Sequence, residues 1–257
     1  MAEDRPVTAC LIIIGNEILS GRTQDKNLAH IAQGLNEVGV QLAHARVIPD
    51  VRQTIVDTVN ECRAVYDYVF TTGGIGPTHD DITSECVAEA FGVPMFRDQE
   101  IARLMEERTR ARGQEMNEAR LRMATFPDGA ELIPNEISVA PGYRIGNVFV
   151  MAGIPSVMQV MFAHARKKLK GGKRVGSRSV GIDLPEGSIA EGLALLQARY
   201  RDIDIGSYPQ MGGDRGFRVS VVLRGTDPAL LDRVTGELKQ ILRDLGGNPV
   251  DEPVAGG

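Results

Sequence analysis

The chain has 257 residues, of which 42% are hydrophobic, 25% charged and 5% aromatic, and this balance predicts an ordinary globular protein with one large domain or a medium domain and a small companion. The net charge of −5 argues against a nucleic-acid partner, because phosphate-binding surfaces need clustered positive charge. The apolar runs are too short to span a bilayer, and Glu3 and Asp4 stand where a secretory signal has basic residues, so we expect a cytoplasmic protein with no membrane partner.

The first half of the chain alternates predicted strands with predicted helices. The apolar run from Val7 to Ile14 is typical of a strand covered on both faces, and a helical pattern from Leu28 to Val38 ends at Gly39. Next come a strand over 42–48, a helix carrying Ile55, Val59 and Cys62, a strand over 66–72 and a helix over 78–91. The alternation predicts a three-layer α/β domain with a mainly parallel sheet, in which ligands bind at the carboxyl ends of the strands.

The region after this alternation is more polar. Residues 98–112 form a charged helical pattern, which indicates a solvated excursion or part of an oligomer contact. Short strands near 131–134 and 147–151 precede a predicted helix over 155–169. Residues 166–178 hold seven Lys or Arg and the pair Gly171-Gly172, which is typical of a linker, with a phosphate-binding basic patch as the alternative. We place the domain boundary here, giving domains at 1–172 and 173–257.

The second domain is predicted to be a small α+β module. Its pattern is a strand over 179–184, a helix over 188–200, strands over 203–208 and 217–223, and a helix over 228–245. This β-α-β-β-α order is typical of ferredoxin-like or KH-like modules. Gly212-Gly213 is predicted to form the hairpin turn between the two middle strands, because the negative net charge disfavours a nucleic-acid loop.

The three cysteines, Cys10, Cys62 and Cys86, are predicted to be buried thiols. Their number is odd, they lack a C-x-x-C spacing, and each has apolar neighbours. The four histidines do not cluster, so no zinc site is expected.

The segment Thr71–Thr83, with the sequence TTGGIGPTHDDIT, carries the strongest chemical signal. The glycines at 73, 74 and 76 allow a sharp turn and a close approach of the backbone to a ligand. A helix N-terminus behind them favours a phosphate. Asp80 and Asp81 would repel that anion, and a bridging cation such as Mg²⁺ resolves the conflict. The segment therefore predicts a phosphorylated ligand held with a divalent metal.

Capping is the alternative interpretation of the same segment. Thr78 and Asp81 have the spacing of a capping pair, but capping requires neither three glycines nor the second acid at Asp80. The segment is not a Walker A loop, because no Gly-Lys-Ser/Thr follows, and the first βα turn lacks the G-x-G-x-x-G of dinucleotide-binding folds.

Two more loops are expected at the same edge of the sheet. After the first strand, Glu17 is a candidate ligand or base, and Ser20 and Thr23 are candidate donors, with capping of the next helix by Thr23 or Asp25 as the alternative. After the second strand, Asp50 supplies another carboxylate, for which a helix cap is the alternative.

Together these loops resemble the molybdopterin-binding domain family, which includes MogA, MoaB, gephyrin and the N-terminal domain of competence/damage-inducible protein CinA. The CinA type is the most similar. The resemblance runs from residue 7 to about 170 and is carried by Gly15–Gly21, Asp25 with Asn27, Thr72–Thr78 with Asp80, Asp81 and Thr83, Asn117, Pro127–Ala130, Asn135, Ala140–Gly142 and Gly153–Pro155.

The resemblance implies two kinds of activity. MogA-like members adenylylate molybdopterin, whereas CinA-like members are linked to metal-dependent hydrolysis of pyrophosphates such as ADP-ribose or FAD. Asp81 and Asp50 match two acids of the MogA type, and the pair Asp80-Asp81 is typical of the CinA type. We therefore expect a nucleotide pyrophosphatase, with a non-catalytic molybdopterin carrier and a MogA-like adenylyltransferase as alternatives. Relatives also suggest a dimer or trimer.

The expected site follows from these assignments. The predicted catalytic residues are Asp81, Asp50, Asp80 and Glu17, with His79 as another candidate base, and the predicted metal ligands are Asp80 and Asp81. The predicted ligand-binding residues are Gly15, Asn16, Ser20, Thr23, Asn27, Thr72, Gly73, Gly74, Ile75, Gly76, Thr78, Gly142, Gly153 and Pro155. The expected small molecule is a phosphorylated pterin such as molybdopterin, or a nucleotide, bound with Mg²⁺ or a similar ion.

Overall fold

A computed structural model describes residues 5–210 and 217–252 of the chain. The chain divides into two compact units, Met1–Gly172 and Lys173–Gly257. No helix within the described ranges has the length and apolar character needed to cross a bilayer.

The first unit is built on a six-stranded sheet and a separate two-stranded one. Its strands are β1 (Val7–Ile14), β2 (Val40–Ile48), β3 (Tyr68–Thr72), β4 (Met95–Arg97), β5 (Thr125–Pro127), β6 (Glu131–Ile133), β7 (Gly142–Ile145) and β8 (Val148–Met151). The large sheet has the order β2-β1-β3-β8-β7-β6, in which the first four strands run parallel and β7 runs antiparallel to both of its neighbours, β8 and β6. In the small sheet, β4 pairs with β5. The predicted mainly parallel sheet is confirmed.

Helices cover both faces of the large sheet. They are α1 (Asn16–Leu19), α2 (Asn27–Glu37), α3 (Arg52–Val65), α4 (Thr83–Phe91), α5 (Gln99–Ala111), α6 (Glu118–Leu121) and α7 (Pro155–Arg166), with a 3₁₀ turn at Arg122–Ala124. One core lies between the sheet and α3 and α4, and the other between the sheet and α2 and α7. Because β1 contributes to both cores, its side chains from Ala9 to Ile14 are all buried, which explains its unbroken apolar sequence. The three-layer arrangement is confirmed.

The predicted helix over 78–91 is wrong at its start. Helix α4 begins at Thr83, because the Thr83 N–H donates to the carbonyl of Gly74 (2.9 Å) instead of to a preceding helical turn. Residues 73–82 form a loop held by side-chain hydrogen bonds at Thr78. Local polar bonds have overridden helix propensity here.

The pair Gly171-Gly172 is packed rather than loose. The Gly172 N–H donates to the Gly39 carbonyl (2.9 Å), and a Cβ on Gly171 would lie 1.5 Å from the Val38 carbonyl oxygen. Two basic side chains of the same segment form ion pairs within the first unit, Arg166 with Glu37 and Lys168 with Glu131. The predicted linker is therefore anchored up to Gly172.

The second unit has a four-stranded antiparallel sheet. Its elements are β9 (Gly176–Ile182), α8 (Glu186–Arg199), β10 (Asp204–Pro209), β11 (Val219–Gly225), α9 (Pro228–Asp244) and β12 (Val250–Glu252), and the strand order is β10-β11-β9-β12. The additional strand β12 completes a split βαβ arrangement of the ferredoxin-like type. The predicted turn at Gly212-Gly213 lies outside the described residues.

All three cysteines are buried, as predicted. Cys10 and Cys62 lie with their sulfur atoms 3.4 Å apart, and burial raises the pKa of the Cys86 thiol to about 11. Protonated thiols in this setting act as small hydrophobic side chains.

Candidate functional site

Four loops meet at the carboxyl edge of the parallel strands. The strand order places the loop after β2, with Asp50, beside the loop after β1, with Gly15 to Glu17. The glycine-rich loop after β3 and the turn at Gly153 after β8 follow along the same edge. The sequence-predicted residues are thus brought together by topology.

The glycine loop is held against β1 and α4 by close contacts. Gly73 has a φ of 101°, and a Cβ there would lie 2.1 Å from the Ile14 carbonyl oxygen. Gly74 has a φ of 68°, and a Cβ there would lie 2.0 Å from Thr83 Oγ1. Thr83 Oγ1 also donates to the Gly73 carbonyl (3.1 Å). Both positions need glycine for conformation and for space.

Three consecutive amides of this loop are available to a ligand. The N–H groups of Gly74, Ile75 and Gly76 donate to no acceptor among residues 5–210 and 217–252. Successive free N–H groups in a turn are suited to phosphate oxygens. The half-buried Ile75 side chain contacts both cores of the unit, which fixes the loop to the sheet.

Asp80 and Asp81 share one hydroxyl donor. Thr78 Oγ1 lies 2.6 Å from Asp80 Oδ1 and 2.5 Å from Asp81 Oδ2, and the Thr78 N–H donates to the same Asp81 oxygen (2.8 Å). The hydrogen bond from Thr78 holds the pKa of Asp80 below its usual range, so this carboxyl is ionised at neutral pH. Two carboxylates are therefore held together beside the free amides.

The capping interpretation accounts for only part of this geometry. The Asp81 carboxylate accepts from the Thr78 N–H as in a capping box, but no helix begins at Thr78. Asp50 does not cap α3 either, because the N-cap of α3 is Val51, whose side chain makes no capping hydrogen bond. The Asp50 carboxylate instead accepts from the Asn16 N–H (2.8 Å) and links the loops after β1 and β2.

The loop after β1 folds back on itself. A Cβ on Gly15 would lie 2.6 Å from both carboxylate oxygens of Glu17, so glycine leaves room for this acid. Ser20 Oγ and the Thr23 N–H both donate to the Glu17 carbonyl (3.3 and 3.0 Å), and both residues are exposed. Asp25, rather than Thr23, caps α2 by accepting from the N–H groups of Asn27 and Leu28.

Two buried polar atoms near the edge lack partners. Asn27 is 3% exposed and donates through Nδ2 to the Gly153 carbonyl (2.8 Å), yet its Oδ1 has no hydrogen-bond partner in the described structure. Thr72 Oγ1, at the end of β3, is equally unpaired. Because unpaired buried polar groups are unfavourable, these atoms indicate that a ligand or solvent completes the site.

Other predicted residues have structural roles of their own. Gly142 is buried at the start of β7, where a Cβ would lie 2.5 Å from the Val150 carbonyl oxygen, so packing alone requires glycine there. Pro155 opens α7, where proline is favoured. His79 has a side chain that is 97% exposed and lies 3.9 Å from Asp80.

Arg122 is a residue that the sequence reasoning missed. Its Nη2 donates to the carbonyl oxygens of Pro77 (3.0 Å) and Thr78 (3.3 Å) and so ties the acid loop to the 3₁₀ turn. No local pattern marks it, because the contact joins positions 44 and 45 residues apart.

The acids of this site fit a metal ion held jointly by protein and ligand better than one held by protein side chains alone. Within residues 5–210 and 217–252, no three His, Cys, Asp or Glu side chains converge closely enough to hold a metal ion. Mg²⁺ typically keeps several waters and takes only one or two protein carboxylates together with ligand phosphate oxygens. Asp80 and Asp81 beside the free amides fit that donor set.

Comparison with known proteins supports the resemblance. Residues 10–170 match the family described as "Probable molybdopterin binding domain", and residues 174–247 match "FAD synthase, middle domain". The crystal structure of CinA from Thermoplasma acidophilum, itself of unknown function, matches with a TM-score of 0.57 and 31% identity, covering 63% of this chain and 96% of that one.

Curated relatives include proteins named as CinA-like and as FAD synthase. A "CinA-like protein" of Citrifermentans bemidjiense is 34% identical over 90% of this chain and 57% of its own length. A "Probable FAD synthase" of Caenorhabditis elegans is 29% identical over 91% of this chain and 50% of its own length. This chain therefore spans about half the length of these two relatives.

Proposed function

Because the chain belongs to the molybdopterin-binding domain family, we propose that its first unit is a metal-dependent hydrolase of nucleotide pyrophosphates of the ADP-ribose or FAD class. The observation that carries the proposal is the pair of carboxylates at Asp80 and Asp81, held by one threonine beside three free amides. The match to the "FAD synthase, middle domain" and the likeness to CinA-like relatives are consistent with a nucleotide ligand.

Each part of the loop has a separate role in this proposal. The N–H groups of Gly74, Ile75 and Gly76 bind phosphate oxygens and orient the pyrophosphate. Asp80 and Asp81 would hold the divalent ion, and the chemistry that the ion would supply is charge neutralisation and a more acidic bound water. Thr78 positions both carboxylates through its hydroxyl, and Arg122 holds the loop backbone that carries Thr78.

Asp50 and Glu17 are the candidate bases for the water. Glu17 lies on the loop after β1, the strand next to β3, and Asp50 lies on the loop after β2, the next strand beyond β1 on the same side of the glycine loop. Asp50 is fixed by the Asn16 N–H, and the Glu17 carboxylate lies over Gly15. A carboxylate positioned within reach of the water accepts its proton during attack.

The test is release of AMP from ADP-ribose or FAD by the purified protein in Mg²⁺, Mn²⁺ or Co²⁺. We expect turnover in the wild type, and a loss of at least about 100-fold for Asp81→Asn, because one metal ligand is removed. Asp57→Asn, which changes an exposed acid on α3, is the matched control and should retain full activity. A wild type that binds a pterin tightly without any AMP release would instead support the carrier function.

A further inference from the structure

A cavity of about 110 Å³ opens beside the acid loop of the first unit. Gly76 and Asp81 of the acid loop line it, together with Ser84 in the first turn of α4. Its apolar wall comes from Ile75, Met95, Met123, Phe126 and Pro141. The cavity is thus continuous with the amides and acids that the proposed function assigns to the phosphates.

Tyr143 lies at the buried side of this cavity with an unpaired hydroxyl. The residue is 1% exposed, and its phenol oxygen has no hydrogen-bond partner among the described residues. Burial raises the pKa of the phenol, which Ser84 nearby offsets only in part, and the Ser84 contact falls short of hydrogen-bond geometry. Phe126, 2% exposed, holds the ring from the side, with centroids 5.8 Å apart in a T-shaped contact.

A buried, neutral phenol without a partner is unfavourable unless a ligand accepts a hydrogen bond from its hydroxyl. Sulfur, aromatic and aliphatic carbon form one part of the lining, while Asp81, Glu85 and Arg122 contribute charged groups. This mixed lining suits a flat ring that carries polar substituents. The volume of about 110 Å³ is somewhat below the roughly 150 Å³ of an apolar cavity that holds a single six-membered ring. The cavity therefore fits one ring, or the edge of a two-ring system, that carries a hydrogen-bond acceptor.

We propose that this cavity binds the heteroaromatic ring of the substrate, with the Tyr143 hydroxyl donating to a ring nitrogen or carbonyl and the phosphates lying on the adjacent glycine loop. The proposal rests on the proposed function, since it takes the glycine loop as the phosphate site. It names a specificity determinant, Tyr143, that lies outside the loop motifs. A nucleotide base and a pterin share the required chemistry, and the test separates them.

The experiment is titration calorimetry with Mg²⁺ and three probes: AMP, 6-hydroxymethylpterin monophosphate and ribose 5-phosphate. We expect one or both ring-bearing probes to bind at least about tenfold more tightly than ribose 5-phosphate, because the ring adds stacking and a hydrogen bond. The probe that binds more tightly identifies the kind of ring. Tyr143→Phe should weaken the binding of that probe roughly three- to tenfold and leave the affinity for ribose 5-phosphate unchanged.

Two further variants keep the result interpretable. Tyr143→Phe removes only an unpaired hydroxyl, so its melting temperature should equal or exceed that of the wild type. Met123→Trp fills the cavity and should reduce the affinity for the ring-bearing probe to that for ribose 5-phosphate. Tyr208→Phe, on β10 of the second unit, is the control and should change no affinity.

Two outcomes overturn the inference in different ways. If ribose 5-phosphate binds, but the ring adds no affinity or Tyr143→Phe has no effect on it, the cavity is not the ring site and the phosphate site still stands. If none of the probes binds with any divalent ion, the proposed function fails together with the inference.

Discussion

Replacing Gly76 with alanine tests whether the position of Asp81 matters to the site. Gly76 does not have a positive φ, so alanine introduces no backbone strain there. The added Cβ would lie 2.7 Å from Asp81 Oδ2 and 3.1 Å from its Cγ. Since unstrained contacts lie near 3.5 Å, the carboxylate must retreat by roughly 0.5–1 Å.

That retreat should lower activity far more than stability. Asp81 would lose its short contacts with the Thr78 N–H and hydroxyl, which together stabilise a partly exposed carboxylate by about 1–2 kcal/mol. Under the proposed role of Asp81 in holding the metal, a displacement of this size is expected to lower turnover about 100-fold. Binding of Mn²⁺ should weaken in parallel, because Asp81 no longer lies beside Asp80.

The assay combines AMP release, calorimetric titration of Mn²⁺ and thermal unfolding followed by circular dichroism, since the chain has no tryptophan for fluorescence. Gly187→Ala is the matched control, because a Cβ at Gly187 in α8 meets no atom within 4 Å. Wild-type turnover and Mn²⁺ affinity in Gly76→Ala would refute the reasoning that the placement of Asp81 creates the site.

Two further predictions concern stability. The hydrogen bond from Arg5, with further bonds from Thr8, lowers the pKa of Asp67 to about 2, below the unfolded value near 3.9. The contribution of Asp67 to the free energy of unfolding is therefore present above about pH 4 and is lost as the pH falls from 4 to 2. Allowing for the exposure of Arg5, Asp67→Asn should lower the free energy of unfolding by about 1 kcal/mol at pH 7, a difference that should shrink towards pH 3 in urea titrations; a constant difference would contradict it. Gly171→Ala should destabilise the first unit by about 1–3 kcal/mol, because its Cβ would overlap the Val38 carbonyl, whereas Gly236→Ala in α9 should stabilise the second unit by about 0.5–1 kcal/mol in thermal scans. Equal effects of the two glycine variants would disprove the packed role of Gly171.

The parts of the fold that depend on local pattern were predictable from the sequence. Strand β1 has an apolar side chain at nearly every position because both of its faces are covered, and α2 ends where Gly39 adopts a φ of 73°. The short strands β4, β5, β7 and β12 were missed, since segments of three or four residues carry little periodicity and only some of them, such as β8, are marked by an apolar run.

The candidate site likewise contains residues that the sequence predicts and residues that only the structure reveals. Gly73, Gly74, Asp80 and Asp81 lie within nine residues of chain, so their spacing alone predicted an anion and metal site. Arg122 and Tyr143 join that loop only through tertiary packing, and a single sequence holds no signal for such contacts. The start of α4 was misplaced because the hydrogen bonds of Thr78 with two acids compete with the first helical turn.

The unpaired oxygens of Thr72 and Asn27 have a consequence for engineering this domain. Each is a buried polar atom without a hydrogen-bond partner in the described structure, and such atoms lower the stability of the fold. Thr72→Val keeps the shape of threonine without the hydroxyl, so it should raise the melting temperature and lower the affinity for the proposed ligand. Thermal stability and ligand affinity would then trade off against each other at this residue at the end of β3.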